Sequence, residues 1–214
     1  VENLDVINLE INGGESTGGL VGKNYSTVTN CYSSGNLVGN TTSQNFGTGG
    51  LIGFNGATIT NSHSSVSVTG NYYTGGFIGN NDGNVSNSYS TGNIVSAVSD
   101  FGGFVGINTG DISNCYSTGN VSGDGFGGGF VGYPTASGIS NSYCTGNVTR
   151  SSGSSSNYFG GFCAVNDQST IEYCYSTGDV VYDGATNPTD KGFSGGEQGA
   201  VTYTANFFDS EASN

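Results

Sequence analysis

Residues 75–94 read GGFIGNNDGNVSNSYSTGNI, and two short motifs in this stretch recur along the chain. The first is Gly-Gly-(Leu/Phe)-(Val/Ile)-Gly. It stands at Gly75–Gly79 and again at Gly18–Gly22, Gly49–Gly53, Gly102–Gly106 and Gly128–Gly132. A degenerate copy, Gly-Gly-Phe-Cys-Ala, occupies Gly160–Ala164, and a remnant stands at Gly195–Gly196. The second motif is Asn-(Cys/Ser)-Tyr-Ser-(Thr/Ser)-Gly-Asn-hydrophobic. It begins at Asn30, Asn61, Asn87, Asn114 and Asn141, with a sixth copy at Tyr173. In the Asn61 copy, His63 takes the Tyr place and Val66 the Gly place.

The spacings show how the repeat is built. From the second Gly of the first motif to the start of the second, the intervals Gly19 to Asn30, Gly50 to Asn61, Gly76 to Asn87 and Gly103 to Asn114 are equal. Gly129 to Asn141 and Gly161 to Tyr173 are longer by a single position. The return intervals are uneven. Asn61 to Gly76, Asn87 to Gly103 and Asn114 to Gly129 are short, whereas Asn30 to Gly50, Asn141 to Gly161 and Tyr173 to Gly196 are long. One half of the repeat is nearly fixed. Length varies in the other half, around 39–48, 96–101, 150–159 and 183–194. A stack of coils behaves this way, because insertions bulge from one corner without disturbing the stack.

The repeat reads as strand, not helix. Its apolar residues pair or alternate and show no 3.6-residue period. Ile112, Val121 and Phe130 suit a pleated surface, and each Gly costs a helix about 1 kcal/mol. The expected fold is all-β: a right-handed parallel β-solenoid (β-helix) of six to seven coils, without a capping helix. Each coil holds about three short strands, and coils begin near 3, 30, 61, 87, 114, 141 and 173. Residues 1–214 make one domain. At roughly 4.8 Å per coil the rod is about 30 Å long.

Stacking then assigns roles. Gly-Gly allows a sharp turn, and the Leu or Phe after it points into the core. Asn30, Asn61, Asn87, Asn114 and Asn141 are expected to form a buried ladder of side-chain amides. Tyr32, Tyr89, Tyr116, Tyr143 and Tyr175, with His63, form an aromatic row. Cys and Ser interchange at 31, 62, 88, 115, 142 and 174, which suggests a tight buried site.

Composition excludes several function classes. The 214 residues include 40 Gly and carry a net charge of −13, with Lys23, Arg150 and Lys191 as the only basic side chains. A phosphate backbone needs a basic footprint, so nucleic acid is not a partner. An anionic membrane surface is excluded in the same way. A helical bilayer span takes roughly 18 or more apolar residues in a row, and no such run occurs. No signal peptide is visible at Val1. Twenty-five Tyr and Phe argue against disorder.

Specific sites are weakly signalled. Asp111, Asp124, Asp179 and Asp183 stand out only by being acidic, and Asp179 replaces a turn Asn such as Asn120 or Asn147. His63, the only histidine, reads as a member of the aromatic row. No catalytic residue is assigned, and no cofactor. Asp82-Gly83-Asn84 and Asn166-Asp167-Gln168 are oxygen-rich turns that suit Ca²⁺ weakly. The five cysteines read as buried free thiols, since Cys115, Cys144 and Cys174 are out of register by one residue. Asn24, Asn40, Asn84, Asn120 and Asn147 open N-glycosylation sequons, the first three in expected loops.

Gly-Gly-Leu-Val-Gly followed by Asn-Cys-Tyr-Ser-Ser-Gly resembles the GLUG motif of large secreted and surface proteins, among them adhesins and some IgA-peptidase-type proteins. The resemblance runs from about Asn3 to Asp209. Asn206–Glu211 is similar to the endings of such tracts. It implies a β-solenoid outside the cell and no particular reaction. The expected function is therefore structural: an adhesin stalk or a filament subunit. Uncapped ends would join copies of the chain end to end, or neighbouring solenoid domains of a longer chain. A second class is a module binding surface glycans or ice through the Thr91, Thr118, Thr145 and Thr177 row. A third is polysaccharide cleavage.

Overall fold

A computed structural model describes residues 1–40, 42–43 and 46–210. These residues form strands, turns and connecting loops, with no helix. The strands stack in parallel as a β-solenoid of about seven turns. No helix among the described residues is long and apolar enough to cross a membrane.

The third coil shows the build. Its strands are Thr74–Gly75, Ile78–Asn81, Val85–Ser86, Tyr89–Ser90 and Ile94–Ser96. That is five short segments, not the three expected. The Gly and Asn residues between the apolar positions break each side into pieces too short to be recognised singly from sequence. Each segment pairs in register with its equivalents: Thr74 with Thr48 and Phe101, Ile78 with Ile52 and Val105, Val85 with Ile59 and Ile112, Tyr89 with His63 and Tyr116. The main sheets hold twelve, seven, six and five strands.

The last two segments of the coil belong to one sheet. Earlier coils run them together as Tyr32–Gly39 and His63–Gly70. Val66, where later coils have Gly, fits this continuous strand because a β-branched residue favours extended backbone. The N-terminal strand Asp5–Gly13 pairs with Tyr32–Gly39 through an irregularity between Val6 and Leu9.

The interior divides into two apolar lobes. The larger contains Leu51, Phe77, Phe104, Phe130 and Phe162, backed by Val28, Ile59, Val85, Ile112, Ile139 and Ile171. Its Phe rings stack coil on coil with centroids 4.8–5.0 Å apart, through to Phe193. The smaller lobe contains Leu37, Val68, Ile94, Val121, Val148 and Val180 with Phe101 and Phe159.

A polar waist separates the lobes. Ser33, Ser90 and Ser117 donate to the Gly50, Gly103 and Gly129 carbonyls at 2.9, 2.5 and 2.7 Å. The Cys144 thiol does the same to Gly161 at 2.9 Å, and Ser176 Oγ to Gly192. The second Gly of the Gly-Gly pair faces this Ser. A Cβ on Gly76 would run into the Gly103 carbonyl oxygen and press on Ser90. The Tyr-Ser and Gly-Gly motifs are thus the two sides of one pinch.

Candidate functional site

Two kinds of surface compete for a functional reading: the regular columns along the twelve-stranded sheet, and the loops at the variable corner.

On the sheet, Tyr32, His63, Tyr89, Tyr116, Tyr143 and Tyr175 form a continuous stack. Successive ring centroids lie 4.4, 4.6, 4.7, 5.0 and 4.8 Å apart, and the rings are nearly parallel from His63 onward. Each ring covers its neighbour's face, so the faces are not open to a ligand. His63 sits between two tyrosines, and burial there lowers its pKa below the usual histidine value, against a smaller opposing pull from Asp5. Beside the stack, Thr91, Thr118, Thr145 and Thr177 form an exposed hydroxyl column. A third column has a bonding logic of its own. The backbone N–H of Asn120 donates to Asn93 Oδ1, that of Asn147 to Asn120 Oδ1, and that of Asp179 to Asn147 Oδ1, at 2.9–3.0 Å.

The expected buried ladder at Asn30, Asn61, Asn87, Asn114 and Asn141 is corrected by the structure. All five are exposed and have positive φ, from 48° to 54°. They turn the corner in left-handed backbone, which Asn tolerates better than most residues. The buried amide ladder lies elsewhere, at Asn24, Asn55, Asn81 and Asn108. Asn24 Nδ2 donates to Asn55 Oδ1 at 2.8 Å, Asn55 to Asn81 at 2.7 Å and Asn81 to Asn108 at 2.7 Å. The amide groups of Asn55, Asn81 and Asn108 also donate to a carbonyl two residues on. Pro134 occupies the next position, so Asn108 turns to Ser137 Oγ at 3.1 Å. The signal was present in sequence, since an Asn recurs at a constant offset from the Gly-Gly pair at Asn24, Asn55, Asn81 and Asn108. The more visible Asn-Cys-Tyr motif obscured it.

This ladder also revises the sequons. Asn24 ends the strand Val21–Asn24 and is only 5% exposed, so it is not a loop residue, and its Nδ2 is spent on Asn55. Asn40, Asn84, Asn120 and Asn147 are exposed. Of these, Asn40 donates its Nδ2 to Asn12 at 2.8 Å.

The five thiols are buried and free. Ser117 pairs with Cys144, while Cys115 N–H donates to Ser142 Oγ at 3.2 Å. Burial pushes Cys115, Cys163 and Cys174 up to about 12 and Cys144 well above its usual value. Cys and Ser interchange in this column because each donates to the carbonyl two residues back, as at Cys31, Ser62, Ser88, Cys115, Ser142 and Cys174.

The acidic residues are dispersed. Asp111 accepts the Gly138 N–H at 2.9 Å, Asp179 continues the exposed Asn column, and Asp183 N–H closes onto the Arg150 carbonyl at 3.0 Å. In the two oxygen-rich turns, Asp82 accepts from Thr109 Oγ1 at 2.9 Å, and Asn166 bonds to the Ser169 backbone. Among the described residues, no three of His, Cys, Asp and Glu form a group able to hold a metal ion. Glu211 lies outside the described residues.

The family model described as the GLUG motif matches residues 13–38, 44–69, 70–95, 98–122 and 155–181, together more than half of the chain. No curated protein and no solved structure matches the chain. The unmatched stretch 123–154 carries Pro134 and Ala136, yet it forms a coil in register with those on either side. The chain belongs to the GLUG-motif family.

Proposed function

We propose that the chain is a non-catalytic, rigid segment of a secreted or cell-surface protein, serving as an adhesin stalk or as a filament unit. One observation carries this reading: the groups with chemical potential are spent in columns along the axis. His63 is sandwiched in the aromatic stack, the thiols are buried, and Asp111 and Asp179 sit in the coil-to-coil bonding. Family membership supports the extracellular setting. Phe207 and Phe208 pair in register with Tyr175 and Ser176 and are 68% and 45% exposed, so this strand presents an apolar edge to a further coil, of the same chain or of another copy. An apolar strand edge of this kind favours another coil as its partner. A second reading, glycan or ice binding on the flat sheet, is favoured only by the exposed Thr91–Thr177 column.

Sedimentation and electron microscopy of the purified chain test the first reading. Short rods that lengthen by end contact as concentration rises support filament growth, and single rods support a stalk. Compact or flexible particles overturn both.

A further inference from the structure

The strongest unassigned feature is a groove at the variable corner, with a volume of about 660 Å³. That lies within the range of small-molecule sites, roughly 300–1,000 Å³. Its lining includes Asp124, Phe126, Ser155, Asn157, Tyr158 and Lys191. The Phe126 and Tyr158 rings meet edge to face at 4.9 Å, and Tyr158 is 43% exposed. Phe126 also lies near-parallel to Tyr133 at 6.5 Å, whereas Tyr158 has no parallel ring beside it among the described residues and is the more open platform.

The groove wall is held in place without a ligand. Arg150 donates to the Ser156 carbonyl at 3.0 Å and to Asn157 Oδ1 at 3.1 Å. Its guanidinium lies 3.9 Å over the Tyr182 ring. Tyr182 donates its hydroxyl to the Asn157 carbonyl at 3.2 Å, and Ser154 donates to the Asp124 carbonyl at 2.8 Å. Arg150 therefore ties the insertion 151–158 to the body of the coil. A wall fixed before binding lowers the ordering cost that a ligand must overcome.

The chemistry of the lining selects the occupant. Lys191 donates to the Gly195 carbonyl at 2.8 Å and pairs with Asp190 at 3.9 Å, so its charge is largely answered. Asp124 adds a negative charge to the groove, in a chain of net charge −13. An anion is disfavoured. Asn157 keeps its Nδ2 hydrogens, because Arg150 uses Oδ1. Asp124 offers acceptors, and Ser155 offers a hydroxyl. Flat aromatic carbon beside a few polar groups suits a ring with an apolar C–H face and a hydroxyl rim.

We infer that this groove binds a neutral pyranose unit of a glycan, placed against Tyr158 and Phe126 and hydrogen-bonded by Asp124, Asn157 and Ser155. The inference goes beyond the structural role, which is read separately from particle shape. A structural rod without a sugar site and a sugar-binding rod therefore give different pairs of results.

The test is NMR titration of the isotope-labelled chain with neutral oligosaccharides of glucose, mannose, galactose and N-acetylglucosamine. A galacturonic-acid oligomer serves as the charged comparison. The expected result is shifts confined to Asp124, Phe126, Gly153–Tyr158, Lys191 and Gly195 with at least one neutral sugar. Tyr158→Ala should weaken binding at least tenfold while leaving the rest of the spectrum unchanged. If that variant loses structure, Tyr158→Leu replaces it, since it keeps the bulk and removes the flat ring. The inference is overturned if no neutral sugar shifts these residues, if shifts fall on the Thr91–Thr177 column, if the uronic oligomer binds more tightly, or if a folded Tyr158 variant binds equally well.

Discussion

At the scale of single residues, asparagine does three different jobs in this chain. At Asn87 and its equivalents it supplies a left-handed corner. At Asn93, Asn120 and Asn147 it receives the next coil's backbone N–H. At Asn81 it is a buried amide bonded both along the ladder and to its own turn. Sequence spacing picked out the first column and contained the second within the same motif, but it assigned the buried ladder to the first and missed the third, because a repeated Asn looks the same whether its backbone or its side chain is selected. The buried column is the one with a large energetic consequence. Replacing Asn81 by Leu removes the acceptor of Asn55 and the donor to Asn108. The Gly83 carbonyl loses its donor as well, so three buried groups lose a partner, each at about 1–3 kcal/mol. We therefore expect Asn81→Leu to lower the unfolding free energy by about 3 kcal/mol or more in urea titration. Asn87→Leu, at the exposed corner, should cost only about the 1–2 kcal/mol of left-handed backbone. An equal loss at both sites would refute this assignment of the ladder.

At the scale of elements, the period, the strand character and the fixed half of the coil were legible in the sequence, because register repeats the same side-chain environment at each coil. The aromatic stack from Tyr32 to Tyr175 was legible for that reason. The division of the interior was not. Two lobes arise only because Ser117 and Gly103, which lie on different sides of the coil, meet across the section. Nothing in local patterning announces a contact between non-adjacent sides of a coil. The groove was hidden for a related reason: its wall belongs to the insertion 151–158, at the corner where length and composition change from repeat to repeat. The pinch makes a sharp prediction. A Cβ on Gly103 would collide with the Gly129 carbonyl oxygen and crowd Ser117. Backbone in a stacked sheet yields less than a flexible side chain, so Gly103→Ala should cost about 3 kcal/mol or more, at the upper end of overpacking effects. Ser117→Ala loses only the bond to Gly129, about 1 kcal/mol. Circular dichroism melts of the two variants should order them in this way, and a harmless Gly103→Ala would show that the lobes can separate.

At the scale of the whole molecule, stability is a sum of similar coils and the contacts between neighbours, as in other linear repeats. The columns imply that a coil can be removed without changing the identity of the contacts. Deleting residues 74–100 would join Tyr73 to Phe101. It would bring Asn55 against Asn108, His63 against Tyr116, Leu51 against Phe104 and Ser64 against Ser117. These are pairs of the kinds that already exist in the native stack. The shortened chain should fold cooperatively into the same solenoid. Its denaturant m-value should fall by about 13%, the share of the 214 residues removed, because m follows the surface exposed on unfolding. The groove lies on later coils, so its NMR signature should persist. Replacing 151–158 by three glycines, the length of the Asn71–Tyr73 corner, has the opposite consequence. It keeps Arg150 and the buried Phe159 and leaves the central ladders intact but deletes the groove wall, so the rod should remain while the sugar response disappears. If the 74–100 deletion instead yields an unfolded or non-cooperative chain, the coils are not interchangeable units, and the column-by-column account of stability fails with it.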